Sequence, residues 1–181
     1  MKRIIWLVLA MAALAGSTGA VPFVTLGLNP PNGFLAGLPG TSVGWGYTLS
    51  TDSDYVAIQY FVFDDWTPVG TFSTPNVPVT MAAVGSPIIS PWVQDTSGLQ
   101  YDIWPGAVLG SSSQGYIWAV YDAFFDTGDG PGEQTVYGDT VYAQLDGEDV
   151  IAEVYVVPEP GTMILLGAGL ATALLLRRRL A

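Results

Sequence analysis

The stretch Thr41-Ser42-Val43-Gly44-Trp45-Gly46-Tyr47-Thr48-Leu49-Ser50 decides the fold. Val43, Trp45, Tyr47 and Leu49 fall on every second position, with glycine or a hydroxyl between them. A period of two places them on one face of a strand. Working outward, residues 55–63 are apolar on both faces, as in a strand with a neighbour on each side. Residues 115–125, 135–145 and 150–157 are rich in β-branched and aromatic side chains. Shorter candidate strands are 23–28, 69–72, 77–81 and 99–104. Breakers separate them: Asn29-Pro30-Pro31-Asn32-Gly33, Thr51-Asp52-Ser53-Asp54, Ser86-Pro87, Gly128-Asp129-Gly130-Pro131-Gly132 and Asp146-Gly147. No helical periodicity of useful length runs through this region. The pattern predicts an all-β domain over residues 21–157, a β-sandwich of immunoglobulin-like or jelly-roll-like kind. Its core is expected to draw on Trp45, Trp66, Trp92, Trp104 and Trp118, since each ring can bury about 150–250 Å².

Charge narrows the chemistry. The 181 residues hold 5 Lys+Arg, 16 Asp+Glu, no His and no Cys. The five cations are Lys2, Arg3, Arg177, Arg178 and Arg179, so the middle is acidic with nothing to balance it. Without cations it has no means of neutralising phosphates, and no nucleic-acid partner is expected. Without His, Cys or Lys it offers no Ser-His-Asp site, no Cys/His zinc site and no Schiff base. Disulfides are excluded as well.

The N-terminal segment has a cationic start at Lys2-Arg3, an apolar run over 4–14 and a small-residue tail, Ala15-Gly16-Ser17-Thr18-Gly19-Ala20. These are the three parts of a secretory signal peptide over 1–20. Thr18 and Ala20 suit the −3 and −1 pockets of a signal peptidase, with the cut after Ala20. At the other end, Val157-Pro158-Glu159-Pro160-Gly161-Thr162 precedes an apolar run over 163–176, then Arg177-Arg178-Arg179. As a helix that run is roughly 21 Å long, short of a ~30 Å hydrocarbon core unless its flanks contribute. The three arginines would hold their end in the cytoplasm.

This ending resembles the PEP-CTERM sorting signal of Gram-negative bacteria. Pro158, Glu159 and Pro160 match the motif, 163–176 the apolar helix, and Arg177, Arg178 and Arg179 the basic end, so the signal covers 158–181. The resemblance implies recognition by an exosortase, a membrane transpeptidase that cuts near the motif. It further implies transient anchoring in the inner membrane, then a place at the cell surface or outside the cell. The two prolines would hold the site extended and block helix formation across it.

Other candidate sites rest on carboxylates and aromatics. Asp122, Asp126, Asp129 and Glu133 form the densest acidic stretch, in a Gly-rich turn. Oxygen-only ligands there suit Ca²⁺, though the spacing is not that of an EF-hand, and a solvated turn explains the same residues. No other cofactor is expected. Asp64 and Asp65 are adjacent and would face opposite sides of a strand, a poor geometry for paired acid and base. Trp92, Tyr101, Trp104, Tyr116 and Tyr137 are candidates for a sugar-binding platform, with core packing as their ordinary role. The expectation is therefore an exported, non-enzymatic protein with a structural or adhesive role in the envelope, exopolysaccharide or biofilm. The alternative is a carbohydrate- or calcium-binding module in the same matrix.

Overall fold

The computed structural model describes residues 23–159, apart from Ser53, 76–80 and Val84, together with Leu165 and Ala168. The expected signal peptide, residues 1–20 with Thr18 and Ala20, lies outside the described residues, as do Pro160, the arginines 177–179 and all but two residues of 163–176.

The described chain is all-β. Its strands are β1 (Val24–Asn29), β2 (Phe34–Gly37), β3 (Ser42–Thr51), β4 (Tyr55–Asp65), β5 (Gly70–Ser73), β6 (Met81–Ala82) and β7 (Ile88–Ser90). There follow β8 (Leu99–Ile103), β9 (Ser112–Asp126), β10 (Pro131–Tyr142), β11 (Gln144–Leu145), β12 (Glu148–Asp149) and β13 (Ile151–Val156). The first sheet runs β1-β3-β8-β5, with β7 also on β3. The second runs β2-β13-β9-β4-β6, with β10 also on β9. β11 and β12 form a small hairpin of their own.

The alternation in β3 does what its sequence predicts. Trp45, Tyr47 and Leu49 are fully buried. They meet the second sheet directly: Trp45 and Phe63 lie 5.7 Å apart between ring centroids, Tyr47 and Phe61 4.7 Å. Tyr101 of β8 reaches Phe63 at 5.7 Å. Both sheets thus contribute to one hydrophobic core. The Trp45 indole N–H donates to the Gly33 carbonyl at 2.8 Å, so the buried ring leaves no polar atom orphaned. Removing about 150–250 Å² of each ring from water is worth about 4–6 kcal/mol per ring before ordering costs.

The glycines opposite the apolar face of β3 have a use that alternation alone does not reveal. Gly44 and Gly46 are buried because residues 90–98 lie across them. A Cβ on Gly44 would collide with the Trp92 indole and the Leu99 carbonyl oxygen. Both faces of this strand are therefore covered.

β9 is the long axis of the second sheet. β4 pairs along one side of it, from Tyr55↔Phe124 to Asp65↔Gly115. A bulge between Ile58 and Tyr60 lets Gln59 and Tyr60 both face outward. The other side is shared end to end. β10 covers the distal part, up to Tyr142↔Trp118, and β13 covers Ile151↔Tyr116 to Tyr155↔Ser112. The β11–β12 hairpin is the excursion between them, turned by Asp146 and Gly147, both at positive φ (55° and 85°).

The aromatic expectations need correction. Trp45 is buried, but Trp66 and Trp104 are 50% and 46% exposed. They follow the last residues of β4 and β8, where the strands end and about half of each ring stays open to solvent. Strands β2, β7 and β12 lie outside the expected strands, and β9 begins three residues earlier than expected.

Candidate functional site

The C-terminal junction is built by β13. Ala152, Val154 and Val156 are fully buried, which pins the strand in the core. It pairs parallel to β2, with Val154 opposite Leu35, and antiparallel to β9. Its bonding continues to the edge of the motif. The Val156 N–H donates to the Ser111 carbonyl at 2.9 Å, and the Val157 N–H to the Gly37 carbonyl at 2.9 Å. Pro158 is then half-buried and Glu159 exposed. Ordered pairing thus gives way to the motif within one residue. A proline at 158 has no N–H to continue the ladder, so the sequence itself ends the strand there.

A polar tie joins the two sheets just behind this end. Tyr101 Oη lies 2.8 Å from Asp65 Oδ2 and 3.0 Å from Ser113 Oγ, and accepts the Val69 N–H at 3.1 Å. A carboxylate only accepts, so the phenol proton goes to Asp65 and the Ser113 hydroxyl donates to the phenol oxygen. Burial pushes the Tyr101 phenol above its ordinary range, and the bond to Asp65 adds to that. Asp65 therefore turns toward the core face, while Asp64 is exposed on the other side. The two adjacent carboxylates are split as a strand dictates.

The acidic stretch does not come together. Asp122 and Asp126 both lie in β9, four residues apart, which is about 13 Å along an extended strand. Asp122 is occupied by the Gln59 amide at 2.8 Å and the Gly138 N–H at 2.9 Å. Asp126 accepts the Gly128 N–H at 2.7 Å, closing the turn that carries Asp129. Glu133 is exposed on β10. Among the described residues, no group of three or more acids is placed to hold a metal ion.

Nor do the five aromatics singled out in the sequence form one platform. Tyr101 is in the core, Trp92 covers Gly44 on the first sheet, and Tyr137 stands exposed on β10. Tyr116 alone belongs to a ring ladder, on the outer face of the second sheet. Trp66 meets Tyr116 at 5.5 Å, Tyr116 meets Tyr142 at 6.1 Å, and Tyr142 meets Trp118 at 6.3 Å. Trp66 and Tyr142 are 50% and 41% exposed. Sequence reading missed three of these four because they come from three separate segments. Pairing of β10 with β9 places Tyr142 opposite Trp118, and only knowledge of that register brings them together.

A concavity lies on the first sheet. Thr25, Thr48 and Ser50 form its floor, and Gln144, Asp146 and Gly147 of the hairpin overhang it, around a cleft of about 410 Å³. The hairpin turn that walls it was legible as Asp146-Gly147; the cleft was not.

Residues 156–179 match the family model described as the PEP-CTERM protein-sorting motif, which supports a PEP-CTERM protein. The motif implies export, a transient membrane anchor and an exosortase as processing partner. No curated protein and no solved structure matches the chain.

Proposed function

We propose that this chain is an exported surface or extracellular-matrix protein whose two sheets pack as a β-sandwich, released from its membrane tail by an exosortase and serving a structural or adhesive role without catalysis. The observation that carries this reading is the junction at Val157. A sorting motif is of use to a protease only if it is extended and accessible, and here Glu159 is exposed immediately beyond the last paired residue. The domain ahead of it survives release, because β13 ends before the motif begins. A matrix role suits a domain with no His, Cys, Lys or Arg between residues 21 and 176. The experiment compares the mass of protein recovered outside the cell with that of the encoded chain. Loss of both 1–20 and the residues beyond the motif is expected. Recovery of material with the tail intact would refute the reading. Glu159→Ala should leave the chain in the inner membrane.

The ring ladder favours a second reading, a carbohydrate-binding module. Exposed aromatic faces stack on the apolar faces of sugar rings, and the exposed carboxylate of Asp64, paired in register with Tyr116, would accept hydroxyl hydrogen bonds. An acidic chain selects neutral glycans over anionic ones. A glycan array tests it: binding lost in Tyr116→Ala and Tyr142→Ala would place the ligand on this face.

A further inference from the structure

The sorting tail leaves the fold from one particular end, and that end has an unusual surface. Five residues, 158–162, separate Val157 from the apolar run that starts at Met163. Fully extended they span at most about 17 Å. When the tail sits in a bilayer, the part of the domain around Val157 must face that bilayer at close range.

What lies there is the loop 104–111. The Gly110 N–H donates to the Val156 carbonyl at 2.9 Å, which fastens the loop to the final turn of bonding in β13. Two tight turns shape it: the Ala107 N–H donates to Trp104 at 3.0 Å, and the Ser111 N–H to Val108 at 3.1 Å. They leave Val108 73% exposed, Leu109 49% and Trp104 46%. The loop contains no charged side chain, and neither does the neighbouring segment 37–41. Gly40 approaches Pro105, so these two segments form one uncharged end. In a chain of net charge −11 this is conspicuous. Asp65 and Asp102, near the ends of β4 and β8, are hydrogen-bonded within the fold, and Glu159 stands exposed in the connection to the tail.

We infer that this end is a membrane-contact surface: while the tail anchors the chain, Val108, Leu109 and Trp104 rest in the interfacial layer of the outer leaflet. Tryptophan favours that layer because its ring is apolar and its N–H polar. The occupant is the lipid surface that holds the tail, because the short connection leaves no room for another partner between them. The opposite pole is the β9–β10 turn. It lies about 45 Å from Ser112 along β9 and carries Asp126 and Asp129. The domain therefore stands with its acidic pole away from the bilayer and its uncharged pole on it. Three side chains are too few to hold an acidic domain on a membrane by themselves. Contact therefore lasts only as long as the tail, and cleavage frees the protein.

This inference rests on the anchoring reading, and one experiment separates the two. The chain has no cysteine, so Gly106→Cys and Asp129→Cys each give a single labelling site. A Cβ at Gly106 meets open space, so the fold tolerates the change. Each variant, with its tail intact, is reconstituted into vesicles of phosphatidylethanolamine and phosphatidylglycerol and labelled with an environment-sensitive fluorophore. Nitroxide lipids should quench the label at 106 severalfold more than the label at 129. Adding Val108→Asp and Leu109→Asp should abolish that difference while the protein still sediments with vesicles. Sedimentation with equal quenching at both sites, or more at 129, overturns the membrane-contact surface alone. Failure to sediment overturns the anchoring reading and this inference with it.

Discussion

Replacing Tyr101 with phenylalanine removes one oxygen from the junction between the sheets, and the structure says what that oxygen does. It accepts from Val69 N–H and the Ser113 hydroxyl and donates to Asp65. Ser113 is completely buried and would be left without a partner. An orphaned buried polar group costs about 1–3 kcal/mol, and a lost bond to a charged acceptor about 1.5–3 kcal/mol. Asp65 is only half-buried and keeps the Thr67 N–H at 3.0 Å, so water recovers part of its loss. The expected destabilisation of Tyr101→Phe is about 3 kcal/mol. For a domain of this size that lowers Tm by about 10 °C. Urea unfolding followed by circular dichroism measures the first quantity, and a thermal scan the second. Ser113→Ala supplies the decisive control. In the double variant no hydroxyl is orphaned, so its cost should fall short of the sum of the single costs by about 1 kcal/mol or more. Strict additivity, or a Tyr101→Phe cost below about 0.5 kcal/mol, would refute the bonding scheme.

Gly44→Ala should destabilise by about 1–3 kcal/mol, because Trp92 must move off β3; a red shift in tryptophan emission would report the displacement. Burial, reinforced by Asp139, pushes Tyr121 up to about 12, whereas a phenol in the unfolded chain titrates near 10. The unfolded chain loses its proton first, so stability should be complete below about pH 10 and drain away between about 10 and 12. Tyr47 and Tyr101, also raised chiefly by burial, steepen the same slope. The urea midpoint across this range checks it, and Tyr121→Phe should make the slope shallower. Thermal melts in chelator and in millimolar calcium should superimpose, since Asp122 and Asp126 are held apart along β9; a calcium-dependent rise in Tm would show a site assembled some other way.

Much of the fold was legible in short-range pattern. The period of two in β3, the apolar run of β4 and the Asp146-Gly147 turn each rest on neighbours in sequence, and each came out as read. What stayed hidden depends on partners distant in the chain. β2 is four residues long, has no alternation of its own, and is a strand because β13 lies beside it. Trp66 and Trp104 were read as core because large rings usually are, but a ring one residue past a strand end has no facing layer. The acids of 122–133 were close in sequence and became distant in space, because an extended strand adds more than 3 Å per residue. For the sorting motif the sequence sufficed, since its three parts act in order along the chain. That the fold stops one residue short of it, beside an uncharged apolar loop, came only from the structure.

The strand that closes the second sheet is the last of the described strands to be made. Until residues 151–156 emerge, β2 lacks its neighbour in that sheet, and the places of Ala152, Val154 and Val156 in the interior stand empty. Most of the polypeptide is thus made before the interior can shut. A premature stop codon anywhere before 151 should accordingly yield a degradable fragment, not a shorter working domain.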